Sequence, residues 1–215
     1  MQWDHWPEAY HSGVETIEMR RKHGLGPWRV PLLLARVHAL WGDAAGVQKR
    51  RVEALEEKDE FQPRVASYLS AQLSMAQQDF AAAWQILEDI LTWVPPDHQV
   101  QDHLVYPYLA ECAARTGDEA TALHYAALAE EVARRGGSKP WLALALRARG
   151  LVHTGREEWE QALVCLQEAV ALFRGMGCRW EEGRTLVDLA RLYRRRGEGG
   201  DRERAWQHYQ DALGH

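Results

Sequence analysis

Residues 141–177 read WLALALRARGLVHTGREEWEQALVCLQEAVALFRGMG, and the spacing of apolar side chains in that stretch decides the fold. It divides into two amphipathic helices joined by a tight turn. The first carries Gly150. The second opens near Glu157 and places Trp159, Ala162, Leu166, Ala169, Leu172 and Phe173 along one face. Gly150, Ala162 and Ala169 are small, which suits positions where two helix backbones approach closely, and bulky residues fill the space between them. Such a hairpin cannot bury its apolar face alone, so it requires neighbours of the same kind.

The rest of the chain supplies them. An N-terminal helix is expected over 7–23, with Ala9, Val14 and Ile17 on its apolar side and Gly24 and Gly26 ending it. Pro7 suits its first turn, where the missing N–H would have been unpaired anyway. Five hairpins follow, at about 28–58, 63–94, 103–135, 140–174 and 179–213. Pro107 must lie in the first turns of its helix, because deeper in it would break a backbone bond. The last hairpin has an enlarged turn at Gly197-Glu198-Gly199-Gly200-Asp201.

Two sets of positions keep one period. The small residue facing the partner in each first helix falls at Ala35, Ala71, Ala110, Gly150 and Ala190, with gaps of 36, 39, 40 and 40. Its counterpart in each second helix falls at Val47, Ala83, Ala122, Ala162 and Ala205, with gaps of 36, 39, 40 and 43. That regularity is the sequence form of a helical solenoid. The expectation is an all-α fold, an α–α superhelix of five hairpins and one N-terminal helix, forming a single domain over 1–215.

Composition narrows the function classes. The 215 residues are 46% hydrophobic and 27% charged, with a formal net charge of −5. That charge argues against a dedicated binder of nucleic acid or anionic membrane. No apolar run approaches the roughly 20 residues of a membrane span, and Met1–Pro7 has neither a basic nor an apolar leader region. Cys112, Cys165 and Cys178 are an odd count without paired spacing, so reduced thiols and a cytoplasmic location are expected.

No reaction is written in the sequence. Gly136-Gly137-Ser138-Lys139 lacks the spacing of a phosphate-binding loop and follows a helix, so it reads as a linker. Among the ten histidines, His98 and His103 are five apart and His5 and His11 six apart, neither being the i, i+4 spacing of helical metal ligands. The carboxylate pairs Glu56-Glu57, Glu130-Glu131, Glu157-Glu158 and Glu181-Glu182 suit helix starts or solvated faces. No nucleophile–base set can be assembled, and the expectation is a non-enzyme with no catalytic residue, cofactor or metal. Of ten tryptophans, Trp84, Trp159 and Trp206 recur near the starts of second helices, as residues packing between helices would.

The hairpins resemble tetratricopeptide repeats. The third runs Leu109-Ala110, Gly117-Asp118, Ala122, Ala126 and Ala129; the second runs Ala71, Phe80, Ala83, Leu87 and Pro95. The likeness covers nearly everything from Trp28 to Leu213, with two departures. The period is nearer 40 than the family's 34. Arg149 and His153 stand where the motif prefers apolar residues. The last two hairpins carry Leu146-Arg147-Ala148-Arg149-Gly150-Leu151 and Gly183-Arg184-Thr185-Leu186-Val187-Asp188-Leu189-Ala190. In these stretches they are similar to the long-period repeat arms of large bacterial signalling ATPases, including maltose-activator-like transcription regulators. In those proteins the arm senses an effector or partner, while separate domains bind nucleotide and DNA.

The resemblance implies that first helices line the inside of the superhelix. Carried over, the inward residues are Arg29, Arg36, Tyr68, Gln72, Glu111, Arg115, Arg147, Leu151, Arg184, Arg191, Arg194 and Arg195. Acid concentrates outside, at Glu53, Glu56, Glu57, Glu88, Asp89, Glu130 and Glu131. A basic concave face would suit an acidic protein or peptide, because the guanidinium fork matches carboxylates. The function so implied is a non-catalytic scaffold or sensing arm of a bacterial regulator. The alternatives are a sensor of a small anionic effector, or a self-assembling array that forms homo-oligomers through its exposed ends.

Overall fold

The computed structural model describes residues 6–24, 30–40, 43–55, 62–92 and 105–214, and among them helices are joined by turns with no strand. The helices are α1 (Trp6–Lys22), α2 (Val30–Leu40), α3 (Ala44–Leu55), α4 (Gln62–Ala76), α5 (Phe80–Thr92), α6 (Tyr106–Thr116), α7 (Glu119–Gly136), α8 (Lys139–Gly155), α9 (Trp159–Gly175), α10 (Arg179–Arg196) and α11 (Asp201–Leu213). The fold is all-α. Chain contacts divide the described residues into two compact units, with α1–α5 in the first and α6–α11 in the second. No described helix is long and apolar enough to cross a membrane.

Local chemistry sets where the helices start and stop. Proline is the second residue of α1, α2, α4, α6 and α8 (Pro7, Pro31, Pro63, Pro107 and Pro140). There its fixed φ is already helical and no backbone bond is lost. Several turns then share one closure, in which an N–H donates to the carbonyl five residues back: Asp43 to His38, Asp79 to Ser74, Asp118 to Ala113, Ser138 to Ala133, Glu158 to His153 and Cys178 to Phe173, all at 2.8–2.9 Å. This closure needs a left-handed residue just before it. Gly117, Gly137 and Gly177 fill that position, and so do Gln78 and Glu157, which carry the strain of a side chain at φ near +60°. Asp43, Asp79 and Asp118 then accept from the N–H groups of Gly46, Ala82 and Thr121, capping α3, α5 and α7.

The two periodic sets are the core. Ala35, Ala71, Ala110 and Ala190 of the first helices are fully buried, and Val47, Ala83, Ala122, Ala162 and Ala205 of the second helices are at most 2% exposed. Gly150 replaces alanine for a steric reason: a Cβ there would lie 2.6 Å from Leu166 Cγ and 2.8 Å from its Cδ2. In the second unit α6 packs on α7 and α8, α7 on α8, α8 on α9, α9 on α10, and α10 on α11. In the first unit α2 packs on α1, α3 and α4, and α4 on α3 and α5.

Two packing expectations need correction. Trp84 and Trp159 are half-buried, but Trp206 is 65% exposed, because no helix among the described residues covers that side of α11. Glu130, read as an outer-surface acid, is 7% exposed. It accepts from Arg149 (2.8 Å) of α8 and Arg134 (3.2 Å) of its own helix. Arg149 therefore breaks the apolar rule by pairing with α7. His153 does so by placing Nδ1 2.5 Å from Glu158 across the turn, as His38 Nδ1 lies 2.9 Å from Asp43 in the first unit.

Candidate functional site

The first helices of the second unit carry an ionic cluster that spans three hairpins. Its frame is a pair of matched motifs. Glu111 and Arg115 lie four apart on α6, Arg184 and Asp188 four apart on α10, and the two pairs are offset by the same 73 residues with opposite polarity. Residues four apart share a helix face, so parallel helices in that register make two complementary rungs. Arg184 Nη2 donates to Glu111 Oε1 at 2.6 Å. Arg115 donates through both terminal nitrogens to the two oxygens of Asp188, at 2.8 Å each. The planar guanidinium fork favours that bidentate geometry.

Arg147 of α8 lies between the rungs. It is 0% exposed, donates to Glu111 Oε2 at 2.5 Å and to Glu181 Oε2 at 2.6 Å, and sets its guanidinium 5.9 Å from the Phe173 ring centroid. Arg184 reaches Glu181 as well, at 3.2 Å, and Arg191 reaches Asp188 at 3.5 Å. Four guanidiniums thus face three carboxylates, a formal excess of one positive charge.

Electrostatics follow from burial. Burial by itself would raise the Glu111 pKa; the charges of Arg147, Arg184 and Arg115 overcome it and hold the carboxyl well below the usual carboxylate range. Glu181 is lowered for the same reason, against its own burial, chiefly by Arg147 and Arg184. Burial would favour a neutral Arg147, but Glu111, Glu181 and Asp188 push its pKa upward instead. Next to Glu111, burial and then that carboxylate's charge push the Cys112 thiol up to about 12, which leaves it an inert core residue.

The residues expected on the concave face therefore meet different fates. Glu111, Arg115, Arg147 and Arg184 come together, but as an internally compensated cluster. Arg147 is withdrawn from any surface, which corrects the reading that it points into an open groove. Arg191 and Arg195 are 55% and 50% exposed at the side chain, and Arg194 is exposed with no partner among the described residues. Arg195 donates to the Gly155 carbonyl at 3.1 Å. In the first unit Tyr68 is half-buried and Gln72 is 7% exposed on α4. Arg36 lies on α2 with its side chain outside the described residues, and Arg29 lies outside them altogether.

Sequence reading missed Glu181 and Asp188. Glu181 suits a helix start, where the dipole accounts for it, and nothing in the sequence sets Asp188 apart. The signal that could have found them is the mirrored motif, Glu-x-x-x-Arg against Arg-x-x-x-Asp, seven residues short of the 80 that separate Ala110 from Ala190. The paired residues therefore lie about two helical turns off the register of the small residues, so that register alone misaligns the partners. A second compensated site closes the enlarged turn. Asp201, 1% exposed, accepts from Arg196 Nε (2.9 Å), Arg196 Nη2 (2.7 Å) and the Glu198 N–H (2.9 Å). No group of histidine, cysteine and carboxylate suited to a metal ion occurs among the described residues.

No protein-family model matches this chain, and no curated protein matches it in sequence. Among solved structures, the fold is similar to that of BtubC (BKLC) from P. vanneervenii, with a TM-score of 0.58 and 15% sequence identity over 98% of this chain and 90% of that one. At that identity the likeness is one of fold alone.

Proposed function

We propose that this chain is a non-catalytic, tetratricopeptide-like protein-binding scaffold, the sensing arm of a bacterial regulator, and that it engages an acidic partner through the arginines at the end of α10. The observation that carries the reading is the uneven compensation of its arginines. Arg115, Arg147 and Arg184 are neutralised inside the cluster, whereas Arg194 has no partner among the described residues and Arg191 has only a 3.5 Å contact. That contact is to an Asp188 oxygen already taking a 2.8 Å bond from Arg115. Arg191, Arg194 and Arg195 are spaced i, i+3 and i+4, so they share one helix face; Arg194 offers its whole fork to a carboxylate-rich segment, while Arg191 and Arg195 are partly engaged, with Asp188 and with Gly155 and Glu157. The long repeat period and the paired helices support the scaffold reading.

The test is fluorescence anisotropy with a labelled glutamate-rich peptide on the full chain. Wild-type binding should weaken with salt, as exposed charge pairs do. R191E/R194E should lose at least about tenfold in affinity with an unchanged far-ultraviolet circular dichroism spectrum. Equal binding by the variant removes the ridge as the contact surface.

A further inference from the structure

α10 repeats one arrangement at a spacing of two helical turns. Glu181 and Arg184 are three apart on it, and so are Asp188 and Arg191. In each pair the acid is held more closely by an arginine from another first helix. Glu181 lies 2.6 Å from Arg147 and 3.2 Å from Arg184; Asp188 lies 2.8 Å from Arg115 and 3.5 Å from Arg191. What differs is the rest of the fork. Arg184 gives its other nitrogen, Nη2, to Glu111 of α6 at 2.6 Å. The same 73-residue offset assigns Arg191 to position 118. That residue is Asp118, in the turn past the end of α6, and its carboxylate caps α7 by accepting from the Thr121 N–H at 3.1 Å. Among the described residues Arg191 therefore contacts Asp188 alone, and its side chain is 55% exposed.

Resting on the acidic-partner reading, we infer that Arg191 receives one partner carboxylate, seated as Glu111 is on Arg184. Arg115 and Asp188 are the positioning residues that keep it open. Asp188 is 1% exposed, so water and salt screen its charge little. Arg115 takes both of its oxygens at 2.8 Å, which turns the carboxylate towards α6 and leaves Arg191 Nη2 for a ligand. Burial acts to lower the Arg115 pKa, but Asp188 and then Glu111 raise it, so the guanidinium stays charged beside its acid. Without Arg115, the stranded carboxylate turns to the cation three residues along its own helix and becomes an internal competitor for the partner's place. The affinity of α10 for its partner is thereby tied to the placement of α6, and a shift of α6 away from Asp188 closes the site.

Fluorescence anisotropy of the labelled glutamate-rich peptide with the full chain tests this, each variant being set against a control of equal charge change outside the cluster. D188N should bind at least about threefold more tightly than E168Q, at an exposed acid of α9. R115Q should bind at least about threefold more weakly than R135Q, at an exposed arginine of α7. R115Q/D188N, with the net charge of the wild type, should bind at least as well as the wild type although both halves of the ion pair are gone; a purely structural pair predicts weaker binding. The gain from D188N should vanish when Arg191 is also changed, so that R191Q/D188N binds no better than R191Q. Circular dichroism checks each fold, and D188N carries the test if R115Q misfolds. A D188N equal to E168Q, or a gain that survives R191Q, overturns the assignment. If R191E/R194E still weakens binding in that case, the acidic-partner reading stands without it; if R191E/R194E has no effect either, both fall.

Discussion

Arg147 and Arg194 are the same residue type on first helices of adjacent hairpins, and sequence gave them one role. In the structure Arg147 is fully buried between two carboxylates from two other helices, while Arg194, at the solvated end of α10, has no partner among the described residues. The difference teaches that charge on a repeat face cannot be counted residue by residue. What matters is whether a carboxylate on another first helix falls into reach, and only the slippage between helices decides that. The buried member is structural. A buried ion pair seldom exceeds a well-packed apolar replacement in net stability, but losing one partner leaves a charge stranded away from water. Tying α6 to α10 through side chains that meet beside α8 also joins three hairpins, in an architecture where each repeat ordinarily contacts only its neighbours.

The comparison can be broken most forcefully at Arg147. R147A takes one guanidinium from Glu111, which keeps Arg184 and Arg115, and one of two from Glu181, and it empties a fully buried site; it should cost about 3 kcal/mol in chemical denaturation. A loss below about 1 kcal/mol would mean that water or a side-chain rearrangement replaces the guanidinium. G150A comes next. The added methyl must displace Leu166 of α9, and about 1–3 kcal/mol should be lost; a neutral result would show that α8 and α9 can slide apart.

Acid titration sharpens the same contrast. Glu111 and Glu181 have folded-state pKa values below the ordinary 4.5. Their contribution is therefore fully present above the unfolded-state value and is lost as pH falls toward the folded one. Stability should drop between about pH 5 and pH 2, with each such carboxylate adding at most about 1.4 kcal/mol per pH unit to the slope. E111Q, which cannot titrate, should show a shallower decline in denaturation midpoints over that window, and an unaltered slope would put the acid sensitivity elsewhere. The smallest effect belongs to the exposed member: R191E/R194E should change stability by no more than about 0.5 kcal/mol while weakening the acidic peptide.

Much of the fold was legible because it rests on local rules. Proline at a helix start, glycine at a helix end and the small residue at each crossing are short-range features, and the last recurs often enough to set a period. Gly150 was readable as a close approach since only backbone proximity explains a glycine amid leucines. The sites were less legible. Arg149 and Glu130 were each assigned a solvated or anomalous role, although they neutralise one another across α7 and α8 at 2.8 Å. Trp206 was expected to be buried from its place in the repeat, but that place buries a side chain only where a further helix lies over it.

Sequence alone therefore determined the helices, their pairing into hairpins and the residues at which backbones touch, because helix period, capping and small-residue spacing act within a few turns. Tertiary structure decided which arginines are free and which apolar face is bare. Both depend on contacts between helices far apart in the chain, such as the 73-residue offset that joins Arg115 to Asp188. That offset depends on how α6 and α10 lie along one another, a quantity that no single hairpin contains.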